Sequence, residues 1–198
     1  MKKFLLVNAI ALGIFNFGMS ANAEKLPIVH VSEENCQVLR NETQQVKNFD
    51  TKLCKLIEDM TETMKAAGGC GLAAPQVGKS LKIFVAELST GIQEFINPVI
   101  LEKSEGTNLG AEGCLSILDK GGIVERPNVV KIQAFNKNGK DFTLELKMFD
   151  ARIVCHEFDH LNKTLYTDKA EVVIDTKNLS KDEIKLKLTV AYTEKMKK

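Results

Sequence analysis

From Phe142 to Met148 apolar and polar residues alternate, and then the period changes. Ile153, His156, Glu157, His160 and Leu161 recur at the three- and four-residue spacing of one helical face. This switch constrains the chain more than any other local feature, because a strand must hand over directly to a helix. It also puts His156-Glu157-Phe158-Asp159-His160, an H-E-x-x-H pattern, on that helix. Residues four apart on a helix lie one turn apart on the same side, so both imidazoles can reach a single cation. Glu157, beside the first imidazole, is placed to take a proton from a water that such a cation activates.

The rest of the chain reads as short elements. Residues 24–47 are polar and irregular, and are expected to wrap the surface. Asn48-Phe49-Asp50 offers capping side chains ahead of Leu53, Leu56, Ile57, Met60 and Met64, which are spaced as one face of a helix. Gly68-Gly69 should end that helix, since glycine tolerates positive φ. Strands are expected at Leu81–Leu88, Glu94–Leu101 and Val129–Phe135, with Gly91 in the first turn and Asn138-Gly139 marking a hairpin into the alternating segment. The tail reads two ways. Ser180 and Glu183 have capping-box spacing, whereas Ile184, Leu186, Leu188, Val190 and Tyr192 alternate; the cap favours a helix.

The first 23 residues have the layout of a secretory leader: Lys2-Lys3, an apolar run from Phe4 to Phe17 broken by Asn8 and Asn16, then Ala21-Asn22-Ala23. The run is about 14 residues, short of the roughly 20 that span a bilayer. Cleavage is expected between Ala23 and Glu24; removing 23 of 198 residues leaves 175 and shifts the formal charge from +1 to −1, because two lysines leave with the segment. Residues 24–198 then form one soluble domain outside the cytoplasm, periplasmic or secreted, with no membrane span. A charge so near zero, with a pI of about 7.6, also argues against a nucleic-acid partner.

A hydrolytic metal site needs three protein ligands and an open position, so the two histidines require a third group. One zincin pattern has glycine three residues and histidine six residues after the second ligand, where this chain has Lys163 and Tyr166. The remaining histidine, His30, lies in the irregular N-terminal region. Cysteine is the alternative: in Glu112-Gly113-Cys114-Leu115-Ser116 a glycine precedes the thiol and permits a tight turn that aims it inward. A second glycine-rich stretch, Gly69-Cys70-Gly71-Leu72-Ala73-Ala74-Pro75-Gln76-Val77-Gly78, allows close backbone approach to a ligand. Gln76 there offers an amide to a developing oxyanion.

Together the three stretches GCGLAAPQVG, EGCLS and HEFDHL resemble the three motifs of the peptide deformylases, in their order and at their separations, with similarity from about Phe49 to about Asp168. The resemblance implies a single α+β domain with antiparallel or mixed sheets around a central H-E-x-x-H helix. It implies metal ligands Cys114, His156 and His160, Glu157 as general base and then acid, and an oxyanion met by the Leu115 N–H and the Gln76 amide. The reaction would be hydrolysis of the formyl group from N-formylmethionyl peptides. Gly71 and Gly113 would hold the peptide as an added strand, Cys70, Phe149 and Ile153 would line a methionine pocket, and Glu112, counted with the substrate-binding residues, would pair with Arg126 behind the site. Asp159 reads either as a support for that group or as a solvated carboxylate. Three departures stand out: Cys155 replaces the family's usual glutamine, Lys163 a glycine and Leu118 a proline. None removes a ligand or the base, so activity is expected. A zincin-like peptidase and a non-catalytic peptide-binding relative are the alternatives.

The family implies one divalent ion, ferrous iron by resemblance, with zinc or nickel as alternatives; a thiolate-bound ferrous site is fragile in an oxidising compartment, which favours zinc or another divalent metal. Assigning Cys114 to the metal leaves Cys36, Cys54, Cys70 and Cys155. Cys70 and Cys155 each adjoin a motif and so are the pair to consider for a bridge, though free thiols are the expectation. Oligomeric state is not readable.

Overall fold

In the computed structural model, residues 23–34 and 36–197 are described; the expected leader falls almost wholly on residues 1–22, outside them. After an extended N-terminal segment and a short 3-10 turn at Cys36–Arg40, helix α1 spans Thr51–Ala66. Asp50 caps it by accepting from the Leu53 N–H at 3.0 Å, and the chain leaves through Gly68 at φ +68°. Strands β1 (Gly71–Ala73), β2 (Ile83–Leu88) and β3 (Gly91–Lys103) follow, with a 3-10 turn at Ala74–Val77 between the first two. Next come β4 (Thr107–Cys114), β5 (Ile117–Pro127), β6 (Val129–Phe135) and β7 (Asp141–Lys147), then α2 (Met148–Leu161), β8 (Val172–Asp175) and α3 (Lys181–Met196). The handover from strand to helix occurs at Lys147–Met148, where the hydrophobic period changes.

Five strands form one sheet in the order β1-β2-β3-β6-β7, and three form another in the order β4-β5-β8; every pairing between named strands is antiparallel. The α+β architecture therefore matches expectation. Strand β2 is apolar almost throughout because the larger sheet is covered on both faces. Ile83 and Val85 point to α1 and pack with Ile57, Met60 and Met64. Phe84 and Ala86 point to α2 and pack with Ala151, Val154 and Leu161. Phe84 stacks on Phe95 with ring centroids 4.5 Å apart. A smaller cluster of Ile117, Val124, Leu165 and Tyr166 joins the second sheet to Cys114. Helix α2 is thus enclosed, and its motif faces the junction of the two sheets.

The β4-β5 hairpin and β8 carry no clear signal in the sequence. Their residues are glycine-rich or charged, and several sit exposed, so no clean alternation marks them. The tail is a helix: Ser180 Oγ accepts from the Glu183 N–H while Glu183 Oε2 accepts from the Ser180 N–H, completing the capping box. Its alternating apolar residues scatter around the helix, leaving Leu188 buried and Leu186 and Val190 exposed. No described helix is long and apolar enough to cross a membrane.

Candidate metal centre and active site

Three local structures bring the chemistry together. Cys114 ends β4 at a register shift after Glu112, and pairs with Ile117 across a two-residue connection, Leu115-Ser116. A register irregularity lies at Gly113, just before the thiol, although Gly113 itself has no positive φ and a Cβ there would meet no atom nearer than 3.9 Å. His156 and His160 lie one turn apart on α2, ring centroids 5.1 Å apart. One ligand atom from each of Cys114, His156 and His160 lies within 4.8 Å of the others. His30 takes no part in the cluster.

Gln76, in the 3-10 turn after β1, is locked in place. Its Oε1 accepts from the Ala73 N–H at 2.8 Å, which leaves Nε2 aimed at Cys114 Sγ (3.4 Å) and Ser116 Oγ (3.3 Å). Gly71, in β1, lies against Glu157: a Cβ there would stand 2.3 Å from Glu157 Oε1. Only glycine leaves room for the carboxylate. The Gly71→Ala variant should therefore displace Glu157 and lower turnover by more than about tenfold with little change in melting temperature, measurable by comparing kcat with thermal unfolding.

These residues border one cavity of about 430 Å³, lined by Cys70, Gly71, Glu112, Gly113, Leu115, Phe149 and Ile153 among others. All five residues expected to meet substrate, Cys70, Gly71, Glu112, Gly113 and Ile153, are on its wall. Glu112, however, has its charge committed elsewhere. Arg126 binds both carboxylate oxygens at 2.9 Å, Arg152 Nη1 reaches Oε1 at 2.9 Å, and His156 Nδ1 lies 2.9 Å from Oε2. Its carboxylate thus holds His156, Arg126 and Arg152 together. Asp159 is a buried partner and not a solvated carboxylate: it takes Arg126 Nη1 and Lys169 Nζ, each at 2.6 Å.

Two further residues of the site have no place in any of the three motifs. Arg152 is 6% exposed, donates to the carbonyls of Asn108 and Val124, and lies over Gly110, where a Cβ would come within 2.6 Å of its guanidinium carbon. Its one signal in the sequence is an arginine four residues before His156, on the buried face of a helix. Tyr166 stands where the zincin pattern would have its third histidine. It is 1% exposed and stacks on His156 with centroids 5.9 Å apart.

Electrostatics follow from burial and these bonds. Burial works against the Glu112 carboxylate, but Arg126 and His156 outweigh it and hold the pKa down to about 2. Burial likewise opposes a charged His156, yet bonds to the Cys114 sulfur and Glu112 pull it up to about 10, while burial and the charge on His156 push His160 well down. Burial pushes Glu157 up to about 7. Its Oε2 is buried with no hydrogen-bond partner in the protein, an acceptor held in reserve.

The donors suit a divalent cation. One sulfur and two imidazoles form a familiar set for zinc or iron, and Glu112 on His156 Nδ1 leaves Nε2 free to ligate. All five cysteines are free, with Cys70 exposed and Cys155 buried, so no bridge competes for the thiol.

A buried cysteine–histidine centre beside an unpaired glutamate, at the seam of two antiparallel sheets, places the protein among the metallohydrolases. Similarity to known proteins narrows this. The family model for polypeptide deformylase matches residues 25–175. Peptide deformylase 1 of Bacillus cereus is 47% identical over 146 residues, spanning 73% of this chain and 93% of that protein. The peptide deformylase of Clostridium botulinum is 46% identical over 132 residues, spanning 67% and 89%. The crystal structure of the Thermotoga maritima peptide deformylase superposes with a TM-score of 0.72 at 39% identity, covering 75% of this chain and 99% of that one. That of Synechococcus elongatus in complex with actinonin gives 0.70 at 33% identity, covering 86% of each. This chain belongs to the peptide deformylase family.

Proposed function

We propose that the chain hydrolyses the N-formyl group of N-formylmethionyl peptides, releasing formate and a free amine, at a divalent metal held by Cys114, His156 and His160. The observation that carries this reading is the buried, unpartnered Glu157 Oε2 beside the ligand cluster. A divalent cation held by these three residues would supply Lewis acidity toward a water and the formyl carbonyl. Glu157 accepts the proton of the attacking water and returns it to the departing amine nitrogen as the C–N bond breaks. The Leu115 N–H and Gln76 Nε2 donate to the oxygen that gains charge.

Gly71 lies on β1 and Gly113 on β4, and each strand ends its sheet. A peptide can therefore add as a strand to these free edges, its backbone held by Gly71 and Gly113. Cys70, Phe149 and Ile153 offer a largely apolar wall to the methionine side chain.

We further propose that the reaction takes place outside the cytoplasm, on formylated peptides or protein N-termini there, and that zinc is the resident ion. The leader-like residues 1–23 and the fragility of ferrous thiolate under oxidising conditions support both points. Cell fractionation and metal analysis of protein purified with and without air test them; activity found only with iron that survives air would refute zinc.

The function is tested by formate release from a formyl-Met peptide. Cys114→Ala should lose both metal and formate release. A zincin-like peptidase, ligated elsewhere, would keep its metal, and retention would remove Cys114 from the site.

A further inference from the structure

The segment that follows Ala23 is seated on α1 through buried polar groups. The Glu24 backbone nitrogen lies 2.6 Å from Asp59 Oδ1, and the Leu26 N–H donates to Thr63 Oγ1 at 2.8 Å. Asp59 and Thr63 are one helical turn apart and are 7% and 3% exposed. Lys55 Nζ reaches the same Asp59 oxygen, also at 2.6 Å. The Asp59 carboxylate is paired with Lys55, and its second donor in the uncut chain is a neutral amide. An ammonium at the same place adds the attraction between two full charges to that hydrogen bond. Glu24 is also the residue at which the leader pattern predicts the processed chain to begin.

We propose that Asp59 receives the α-ammonium group created when the leader is removed. Hydrolysis of the Ala23–Glu24 amide by a signal peptidase adds one water across the bond. The leader leaves with a carboxylate on Ala23, and the Glu24 nitrogen becomes an ammonium at the position already in contact with Asp59. The amide–carboxylate bond thereby becomes an ion pair beside Lys55.

The same segment continues toward the metal centre. Val29, 5% exposed, donates its N–H to the Gln76 carbonyl at 2.8 Å, and Val31 donates to the Ser116 carbonyl at 3.0 Å. Gln76 and Ser116 belong to the two loops that meet at Cys114. The N-terminal segment is thus a strap across both loops, and Asp59 fastens its free end. This inference rests on the leader pattern and not on the deformylase reaction, so its test uses no activity.

The full chain, expressed in a secreting bacterium, is purified from the extracytoplasmic fraction, and its intact mass is determined. The expected mass is that of a chain beginning at Glu24; any other start overturns the proposal. The purified protein is then treated near pH 7 with an amine-acylating reagent, and labelling of the Glu24 amine is followed by peptide mass spectrometry relative to the exposed Lys25 side chain. Labelling should be about tenfold slower in the folded protein than in the same protein in urea, and Asp59→Asn should restore the fast rate in the folded state. Equal rates folded and unfolded would overturn the ion pair, as would slow labelling that persists in folded Asp59→Asn. If that variant fails to fold, the comparison of folded and unfolded wild type decides alone.

Discussion

Replacing Glu157 with glutamine is expected to lower kcat by about 10²–10⁴-fold while leaving bound metal and melting temperature near their wild-type values. The amide keeps the size and shape of the side chain but cannot take a proton from water and return it to the amine. Little should happen to the fold. The carboxyl makes no hydrogen bond through Oε2, and burial already disfavours its charged form, so a neutral substitute relieves that penalty. The contact with Gly71 is kept because glutamine is isosteric. Formate release, metal content and thermal unfolding measured on one preparation check the three parts together. A Glu157→Gln protein that turns over at the wild-type rate would remove the general base from the mechanism.

Glu112→Gln should instead damage stability and metal retention together. Glu112 is the one carboxylate that faces Arg126, Arg152 and His156, all buried. Neutralising it leaves Asp159, among the described residues, as the one carboxylate bonded to either guanidinium group, at 2.6 Å from Arg126. Breaking a buried ion pair in this way costs about 3–5 kcal/mol. It also changes the partner that orients His156, and loss of such a partner weakens metal binding by about 10- to 100-fold. Chemical denaturation and competition with a metal chelator measure the two effects. Asp159→Asn is the useful comparison, since Asp159 joins the same network through Arg126 and Lys169 and not through a histidine. It should lower stability more than metal affinity. Equal loss of metal affinity in both variants would mean that Glu112 acts only through the general stability of the site.

Much of this centre is legible in the order of the residues, and the reason is geometric. His156, Glu157 and His160 belong to one helix, where spacing in sequence is spacing in space, so the i, i+4 rule alone sets both imidazoles on one side. Gly71 is legible for a related reason: a backbone that must lie against a buried side chain, here Glu157, leaves few choices but glycine. Helix α1 declares itself by an apolar face with an aspartate cap, and β6 by its alternation, with the bounds Val129–Phe135 that the pattern predicts. For the 181–196 helix the cap is the better guide, because two reciprocal side-chain bonds act locally while the competing alternation would need a neighbouring strand to pair with.

Arg152, Tyr166 and Asp159 are harder to read because their partners lie far away along the chain or are set by burial. Arg152 reaches Glu112 and Asn108 across 40 and 44 residues, and no periodicity records such a pairing. The N-terminal strap is hidden in the same way. A polar segment with no pattern looks loose until its amides are seen meeting Asp59, Thr63, Gln76 and Ser116.

By itself, then, the sequence determined the helix that sets His156, Glu157 and His160 close together, the glycine-flanked Cys114 as the candidate third donor, and the family whose motifs they match. All of these depend on short-range spacing, which the backbone converts directly into position. Only the tertiary structure decided that Glu112 bonds to His156, Arg126 and Arg152 at once, that Arg152 and Asp159 complete a buried charge network, and that the segment after Ala23 is fastened to α1. Those outcomes depend on which charges are removed from water together, and burial is a property of the packed molecule that no single stretch of residues carries.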